Sequence, residues 1–243
     1  MDAAKAVAIC AANPEMEELD IYTRAIPAKA LPVLLIGTTA GTGSEVTGVS
    51  VLTNSKTGKK KSISGADCYA AVSFCDYSYT LNVPEAVTVS TALDAFAHAA
   101  ESWLASSAND MSRLYASRAI TLLRPFLCGL GKPLILGEPE REALYTASIY
   151  AGLAINISGT CFPHTVGYYL TENYGVPHGL ACIAFLPALL RRAKKYCPER
   201  LEAMETVLGF SADTLTALLS EGVRFDVTVS AEEAAAAADP ASL

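Results

Sequence analysis

The feature that most constrains the fold is a change of residue pattern near Pro84. Before it, apolar runs at 31–37, 48–54 and 70–76 have the length and composition of buried strands, and residues 2–12 form an Ala-rich helical pattern. After it, helical patterns follow one another at 89–107, 109–127, 138–156, 178–197, 199–208, 211–220 and 230–238. The sequence therefore predicts half of an α/β layer over 1–84 and a helical domain over 85–243.

The charge of the chain argues against one class of partner. Its 25 acidic and 18 basic side chains give a net charge of −7 at pH 7, whereas proteins that bind nucleic acids need clustered lysines and arginines. The basic cluster of the chain lies around a glycine and is interpreted as a solvated hairpin tip; it consists of Lys56, Lys59, Lys60 and Lys61. We therefore expect no nucleic-acid partner.

Cysteine usage and hydropathy indicate the compartment. The seven cysteines form no Cys-x-x-Cys pair and are irregularly spaced, which is typical of reduced thiols in the cytosol. No apolar run reaches the roughly 18 residues that a membrane span needs, and the first residues form a helical pattern rather than a signal sequence. The prediction is a soluble, cytoplasmic protein with no membrane partner.

The stretch TALDAFAHAA, residues 91–100, contains the first candidate site. Asp94 and His98 stand four residues apart, so on a helix they share one face and can present an oxygen and an imidazole nitrogen to one point. The other two histidines, His164 and His178, are fourteen residues apart and each follows a proline. Two helices that begin near them would bring both rings to the same point, where one oxygen and three nitrogens suit a divalent transition metal.

Simpler roles remain open for each of these residues. Asp94 can cap or hydrogen-bond the start of its helix, His98 can be a buried histidine with a partner, and His178 can be an ordinary first residue of a helix. The joint case is stronger because all three histidines lie in apolar surroundings, where an unpaired imidazole costs free energy.

A second candidate site is the loop GTTAGTGSEVT, residues 37–47, which follows the first predicted strand. Glycines and hydroxyl residues in such a turn leave backbone N–H groups and threonine side chains free to hold phosphate or a cofactor ring. The alternative is a tight turn in which Thr42 or Ser44 caps a helix.

Together these stretches resemble the iron-containing (group III) alcohol dehydrogenase family, from Met1 to about Pro187. In that family a segment like PTTAGTGSEVT contacts NAD(P), a segment like TGLDALTHAIEAY supplies an Asp and a His to a metal, and a later pair of histidines ending in PHG completes the site. The resemblance implies an α/β plus all-α fold, with a partial Rossmann-like dinucleotide-binding domain over 1–84 and a helical metal-binding, catalytic domain over 85–243.

The family's functional residues can be carried over position by position. The resemblance implies four metal ligands, which would also be the catalytic residues through the metal: Asp94, His98, His164 and His178. It places against the dinucleotide Thr38, Thr39, Gly41, Thr42 and Lys60. The implied metal is Fe(II), with Zn(II) as second choice, and the implied nucleotide is NAD or NADP.

The function that the resemblance implies is a metal-dependent oxidoreductase that interconverts a primary alcohol and an aldehyde, with hydride passing between a metal-bound alkoxide and NAD(P). The partner is then a small-molecule alcohol or aldehyde, in a pocket around Phe162 and Tyr168, and a homodimer is the assembly common in the family. Two alternatives stay open: a non-catalytic helical metal-binding remnant that has lost its nucleotide-binding half, and a metal-dependent lyase or hydrolase on the same ligands.

The chain also departs from the family pattern. Gly37 stands where the family usually has proline, and Tyr77 follows Asp76 where the family commonly has Asp-Pro. Tyr168 stands where many members have a further histidine, so a proton relay through position 168 is not expected. The chain resembles an internal fragment that lacks the first nucleotide-binding strands, the Gly-rich phosphate loop and the C-terminal end. We expect such a fragment to hold a dinucleotide weakly.

Overall fold

A computed structural model describes residues 1–17, 19–23, 25–224, 226–230 and 232. The first part contains α1 (Asp2–Ala12), β1 (Leu34–Ile36), β2 (Val49–Thr53), β3 (Lys60–Ser64) and β4 (Val72–Phe74). The second part contains α2 (Glu85–Leu104), α3 (Asp110–Gly129), α4 (Glu138–Ser158), α5 (Phe162–Tyr174), α6 (His178–Tyr196), α7 (Pro198–Leu208) and α8 (Ala212–Gly222). Strands thus precede α2 and helices follow it, while the helical pattern at 230–238 lies almost entirely outside the described residues.

Two small sheets form the α/β part of the described chain. β1 pairs in parallel with β4, Leu34 opposite Val72 and Ile36 opposite Phe74. β2 and β3 form an antiparallel hairpin in which Val49 faces Ser64. β3 has no counterpart in the predicted strands because its sequence, KKSIS, lacks an apolar run. The basic cluster was predicted to be a hairpin tip. In the structure Lys56 and Lys59 lie in the turn between β2 and β3, whereas Lys60 and Lys61 belong to β3.

The first predicted strand is buried on one face only, and the third has no buried residue. Leu35 in β1 is 3% exposed, but its neighbours Leu34 and Ile36 are 65% and 45% exposed. Val72 and Phe74 in β4 continue this exposed apolar face. The prediction of fully buried strands is wrong at these positions because side chains alternate across a strand, and no described element covers the second face.

Lys5 of α1 anchors the loop at residues 37–47. Its ammonium is fully buried and donates hydrogen bonds to the carbonyl oxygens of Ser44 at 2.7 Å, Thr47 at 2.8 Å and Val49 at 2.7 Å. Asp2, one turn earlier, accepts from the backbone N–H of Val51 at 2.8 Å. Because a buried ammonium needs such partners, α1 fixes both the end of the loop and the start of β2.

Helix α2 is the centre of the helical part. All of its side chains from Ala92 to Leu104 are buried, since α3, α4, α6 and α7 pack around it. Its five alanines between 92 and 100 let these neighbours approach closely. Polar side chains in this part of α2 are therefore buried, and they include Asp94 and His98. No described helix combines the length and the apolar character that crossing a membrane requires.

Candidate metal centre

Helix α2 carries Asp94 and His98 one turn apart on a common face, and both side chains are buried. Helix α6 starts against this face. A Cβ atom at Gly179 would lie 1.8 Å from the carbonyl oxygen of Ser90 and 3.0 Å from Cβ of Asp94. Only glycine permits such an approach, so the residue after His178 is what lets the first turn of α6 reach Asp94.

Helix α5 brings the third histidine. It begins at Phe162, with Pro163 in its first turn, and His164 lies just inside it. A Cβ atom at Gly167 would lie 3.0 Å from Sγ of Cys182 and 3.1 Å from the Cys182 backbone. The absence of a side chain at Gly167 therefore allows α5 and α6 to pack closely, which carries His164 towards α2.

The structure brings the four predicted metal ligands together. Measured from Oδ1 of Asp94, the Nε2 atoms lie at 3.4 Å in His164, 3.8 Å in His178 and 3.9 Å in His98. The His98 and His164 rings stack with centroids 4.4 Å apart, and the His164 and His178 centroids are 5.4 Å apart. All three imidazoles therefore converge on one carboxylate oxygen.

Several polar atoms at this point lack partners within the protein. Among the residues that the structure describes, Oδ1 of Asp94, Nδ1 of His98 and Nε2 of His164 are buried without a hydrogen bond. Buried polar groups are nearly always hydrogen-bonded, and leaving one unpaired costs free energy. Oδ1 of Asp94 and Nε2 of His164 face each other at the point of convergence, and two unpaired donor atoms of types that transition metals prefer fit a bound cation there.

The titration of Asp94, His98 and His178 favours the charge states that a cation needs. Burial raises the pKa of Asp94, but the three imidazoles together outweigh it and hold the pKa well below its usual range. Burial lowers the pKa of His98 to about 4 and also lowers that of His178, in both cases against the opposing effect of Asp94. At neutral pH a carboxylate therefore faces two neutral imidazoles.

His164 differs from the other histidines because Glu101 contacts it. Oε1 of Glu101 lies 2.6 Å from Nδ1 of His164, and Glu101 is fully buried. Burial lowers the pKa of His164, but Glu101, then Cys182 and Asp94, raise it well above its ordinary value. Glu101 was not predicted from the sequence, although its position seven residues after Asp94 and three after His98 places it on the same side of α2.

Cys182 is a second residue of the site that was not predicted from the sequence. The described donor atoms that all lie within 4.8 Å of one another belong to Asp94, His164, His178 and Cys182. Cys182 stands four residues after His178 in α6, the same relation that Asp94 and His98 have in α2. That spacing is a signal that the sequence contained.

The site opens into a cleft of about 410 Å³ between the hairpin and the helices. Its wall includes the four predicted metal ligands and Tyr168, and two of the predicted cofactor residues, Thr42 and Lys60. Thr38, Thr39, Gly41 and Phe162 do not line it. Gly41 instead packs on α2, where a Cβ atom would meet Cβ of Thr91 at 2.6 Å. The loop's second glycine thus serves to dock the loop on α2.

Tyr168 lies beside the predicted ligands. Its ring stacks on His178 with centroids 5.2 Å apart and planes 6° apart. Burial raises the pKa of its hydroxyl to about 12, so it stays protonated at neutral pH. Tyr168 therefore supports the His178 ring.

Comparison with known proteins gives two matches to one family. The profile described as iron-containing alcohol dehydrogenase covers residues 1–77, and the profile described as Fe-containing alcohol dehydrogenase family, C-terminal, covers residues 88–225. The probable alcohol dehydrogenase EutG of Escherichia coli (strain K12) is 32% identical over 211 residues, which are 86% of this chain and 52% of that protein. The 1,3-propanediol dehydrogenase of Citrobacter freundii is 33% identical over 77% of this chain and 48% of its own length.

Solved structures give the same result. An iron-containing alcohol dehydrogenase from Thermotoga maritima matches with a TM-score of 0.85 and 33% identity, over 96% of this chain and 62% of that one. Sulfoacetaldehyde reductase from Bifidobacterium kashiwanohense, solved in complex with NAD+, matches with a TM-score of 0.85 and 32% identity, over 97% of this chain and 65% of that one. These matches confirm the predicted fold class, α/β followed by all-α.

The matches cover most of this chain but only part of each relative. The chain spans about half the length of the curated relatives that it matches. The C-terminal family profile alone, residues 88–225, covers more than half of this chain. The protein therefore belongs to the iron-containing alcohol dehydrogenase family, as its sequence resemblance predicted.

Proposed function

We propose that the chain carries the metal- and substrate-binding centre of an NAD(P)-dependent oxidoreductase that interconverts a primary alcohol and an aldehyde. The observation that carries the proposal is the convergence of three imidazoles on the unpaired Oδ1 of Asp94, at the wall of a cleft that also holds Thr42 and Lys60. The relatives named for propanediol and sulfoacetaldehyde support an alcohol or aldehyde as the substrate class.

The proposed ligands are Asp94, His98, His164 and His178. One oxygen and three imidazole nitrogens suit Fe(II) and also Zn(II), and Fe(II) is our first choice because the family is named for iron. A divalent cation bound here supplies a Lewis acid that stabilises negative charge on the oxygen of the alcohol or aldehyde.

The surroundings of three of the proposed ligands define what each contributes. Asp94 supplies a negative charge that offsets part of the charge of the cation, and its low pKa keeps that charge in place. Neutral His98 and His178 offer lone pairs. Asp94, His98 and His164 are buried, so little water reaches them, and this strengthens the electrostatic interactions inside the site.

The nucleotide would lie in the cleft on the side of the α/β part. Lys60 offers a positive charge and Thr42 a hydroxyl group at the cleft wall, and both groups suit the phosphates of NAD or NADP. The remaining predicted contacts, Thr38, Thr39 and Gly41, lie in the same loop outside the cleft wall. We propose that this loop meets the nucleotide mainly through Thr42 and the residues that follow it.

The first test is the metal content of the purified chain, prepared anaerobically with Fe(II) or Zn(II) and measured by elemental analysis. We expect close to one metal per chain, and a large loss in Asp94→Ala and in His164→Ala. The exposed Glu202→Gln on α7 serves as the control. Unchanged metal content in both site variants would overturn the ligand assignment.

The second test is titration with NADH in the presence of the metal, followed by nucleotide fluorescence. Saturable binding, together with alcohol-dependent reduction of NAD, is expected of a dehydrogenase centre. Metal binding without saturable nucleotide binding would instead favour the non-catalytic metal-binding protein, and turnover of a substrate without any nucleotide would favour a lyase or hydrolase.

A further inference from the structure

Cys182 is a buried thiol that the proposed ligand set leaves unused. It lies in α6, one turn after His178, with no exposed surface. Its Sγ atom is 3.6 Å from both Nδ1 and Nε2 of the His178 ring. Because residues four apart share a helix face, Cys182 extends the ligand-bearing face of α6 towards the interior.

The distances place Sγ among the other donor atoms. The donor atoms of Asp94, His164, His178 and Cys182 all lie within 4.8 Å of one another. With bonds of about 2.0 to 2.3 Å, two donors on one transition metal are at most about 4.6 Å apart. The four donors are thus within a small relaxation of a single coordination sphere.

Two further observations point to a ligand at this position. Oδ1 of Asp94 and Nε2 of His164 are both buried, and within the described part of the chain neither makes a hydrogen bond. Packing also holds Sγ in place, because Gly167 lies so close that a Cβ atom there would be 3.0 Å from it. The thiol is therefore fixed beside unpaired donors.

We propose that Cys182 is a further ligand of the metal, a sulfur donor in addition to Asp94 and the three histidines. When the sulfur–metal bond forms, the thiol proton is released to solvent and no oxidation state changes. Thiolate donors favour soft and borderline ions over hard ones, so Cys182 should shift the preference of the site towards Zn(II) and Co(II) and away from Mn(II). The inference rests on the proposed metal centre.

Cobalt(II) is the probe that separates the two proposals. Added anaerobically to the full chain, it should give visible d–d bands from a protein-bound ion and an intense near-ultraviolet band from sulfur-to-cobalt charge transfer. Cys182→Ser should lose the near-ultraviolet band and keep the d–d bands. Cys182→Ala should behave in the same way, and retention of the d–d bands shows that each variant still assembles the site.

The control removes thiols that could bind cobalt adventitiously. Cys75 and Cys128 are exposed, and the double variant Cys75→Ala with Cys128→Ala should keep the near-ultraviolet band. A wild-type spectrum with d–d bands but no charge-transfer band overturns the role of Cys182 and leaves the proposed function standing. A charge-transfer band that persists in Cys182→Ser also overturns it. Absence of any protein-bound cobalt spectrum would overturn the metal centre itself.

Discussion

Oε1 of Glu101 lies 2.6 Å from Nδ1 of His164, and Oε2 of the same carboxylate accepts a hydrogen bond at 2.7 Å from the backbone N–H of Cys161. Glu101 is fully buried in α2, so both of its oxygens are committed to groups at the start of α5. A carboxylate behind a ligand histidine fixes the orientation and tautomer of the ring. Helix α2 therefore positions His164 as well as supplying Asp94 and His98.

We expect Glu101→Gln to weaken metal binding by about 10- to 100-fold, the usual effect of losing such a partner. Glutamine has the same shape, but one acceptor oxygen becomes an NH₂ donor that would face an N–H group of either His164 or Cys161. The measurement is competition for Zn(II) against a chromophoric chelator. Glu202→Gln, exposed on α7, is the control, and equal affinities for wild type and Glu101→Gln would remove Glu101 from the positioning role.

Asp94 and His98 were easier to predict from the sequence than Glu101 and Cys182. Asp94 and His98 could be paired from spacing alone, because both lie on one helix and the period of a helix is fixed. Glu101 and Cys182 obey the same periodicity, but a lone acid or thiol in an apolar helix has many ordinary roles, so spacing did not single them out. Their role emerges only when α5 is seen against α2 and α6.

The meeting of His164 with His178 could be proposed from the two predicted helix starts, but only the resemblance made it specific. It depends on two close helix contacts, at Gly167 and Gly179, where a Cβ atom would collide with Cys182 or Ser90. No local pattern reveals which glycine supports such a contact. The strands show the same limit: the polar strand β3 has no apolar run to mark it.

Lys60 should contribute to nucleotide binding through its charge. We expect Lys60→Ala to raise the Kd for NADH on the order of tenfold, the loss of about one charge-assisted hydrogen bond to phosphate. Because Lys60 is exposed, the difference should shrink as ionic strength rises. Fluorescence titration at two salt concentrations measures both effects.

The matched control for Lys60 is Lys56→Ala, which removes the same charge from the turn of the same hairpin. It lies outside the cleft wall and should leave the Kd nearly unchanged. Equal effects of the two substitutions would mean that the net charge of the hairpin, rather than a contact of Lys60, sets the affinity.

Gly152 in α4 holds the Gly-rich loop against the helical part. A Cβ atom there would lie 2.9 Å from both Cα and the carbonyl oxygen of Gly43. In a helix, glycine to alanine normally stabilises by about 1 kcal/mol, but overpacking against fixed backbone costs about 1–3 kcal/mol. We therefore expect Gly152→Ala to lower the unfolding temperature by a few degrees, roughly 2–4 °C for a net loss of 1 kcal/mol.

Gly129→Ala in α3 is the control for that substitution. Its Cβ atom would meet only Cδ2 of Leu134 at 3.2 Å, and a flexible side chain can move. Thermal unfolding followed by circular dichroism should show no loss in this variant. An unchanged or higher unfolding temperature for Gly152→Ala would contradict the tight loop contact.

Glu45, in the same loop, should make stability depend on pH. Its side chain is buried, Oε1 lies 3.4 Å from the hydroxyl of Tyr145, and Oε2 has no hydrogen-bond partner among the described residues. Burial raises the pKa of Glu45 above its ordinary value. The folded state therefore binds this proton more tightly than the unfolded state, so the contribution of Glu45 to stability is complete below the unfolded pKa and is lost as pH rises through the folded pKa.

Glu45→Gln removes that titration and keeps the shape of the side chain. We expect the variant to match or fall slightly below wild type near pH 4 and to be the more stable protein near neutral pH, where wild type carries a buried, half-satisfied carboxylate. Urea denaturation midpoints measured from about pH 4 to pH 8 test this, because the unfolded carboxyl titrates near the lower limit of that range. For the exposed Glu202→Gln control, the denaturation midpoint should change with pH as it does in wild type. The same pH dependence in Glu45→Gln would show that the buried carboxylate of Glu45 does not destabilise the protein at neutral pH.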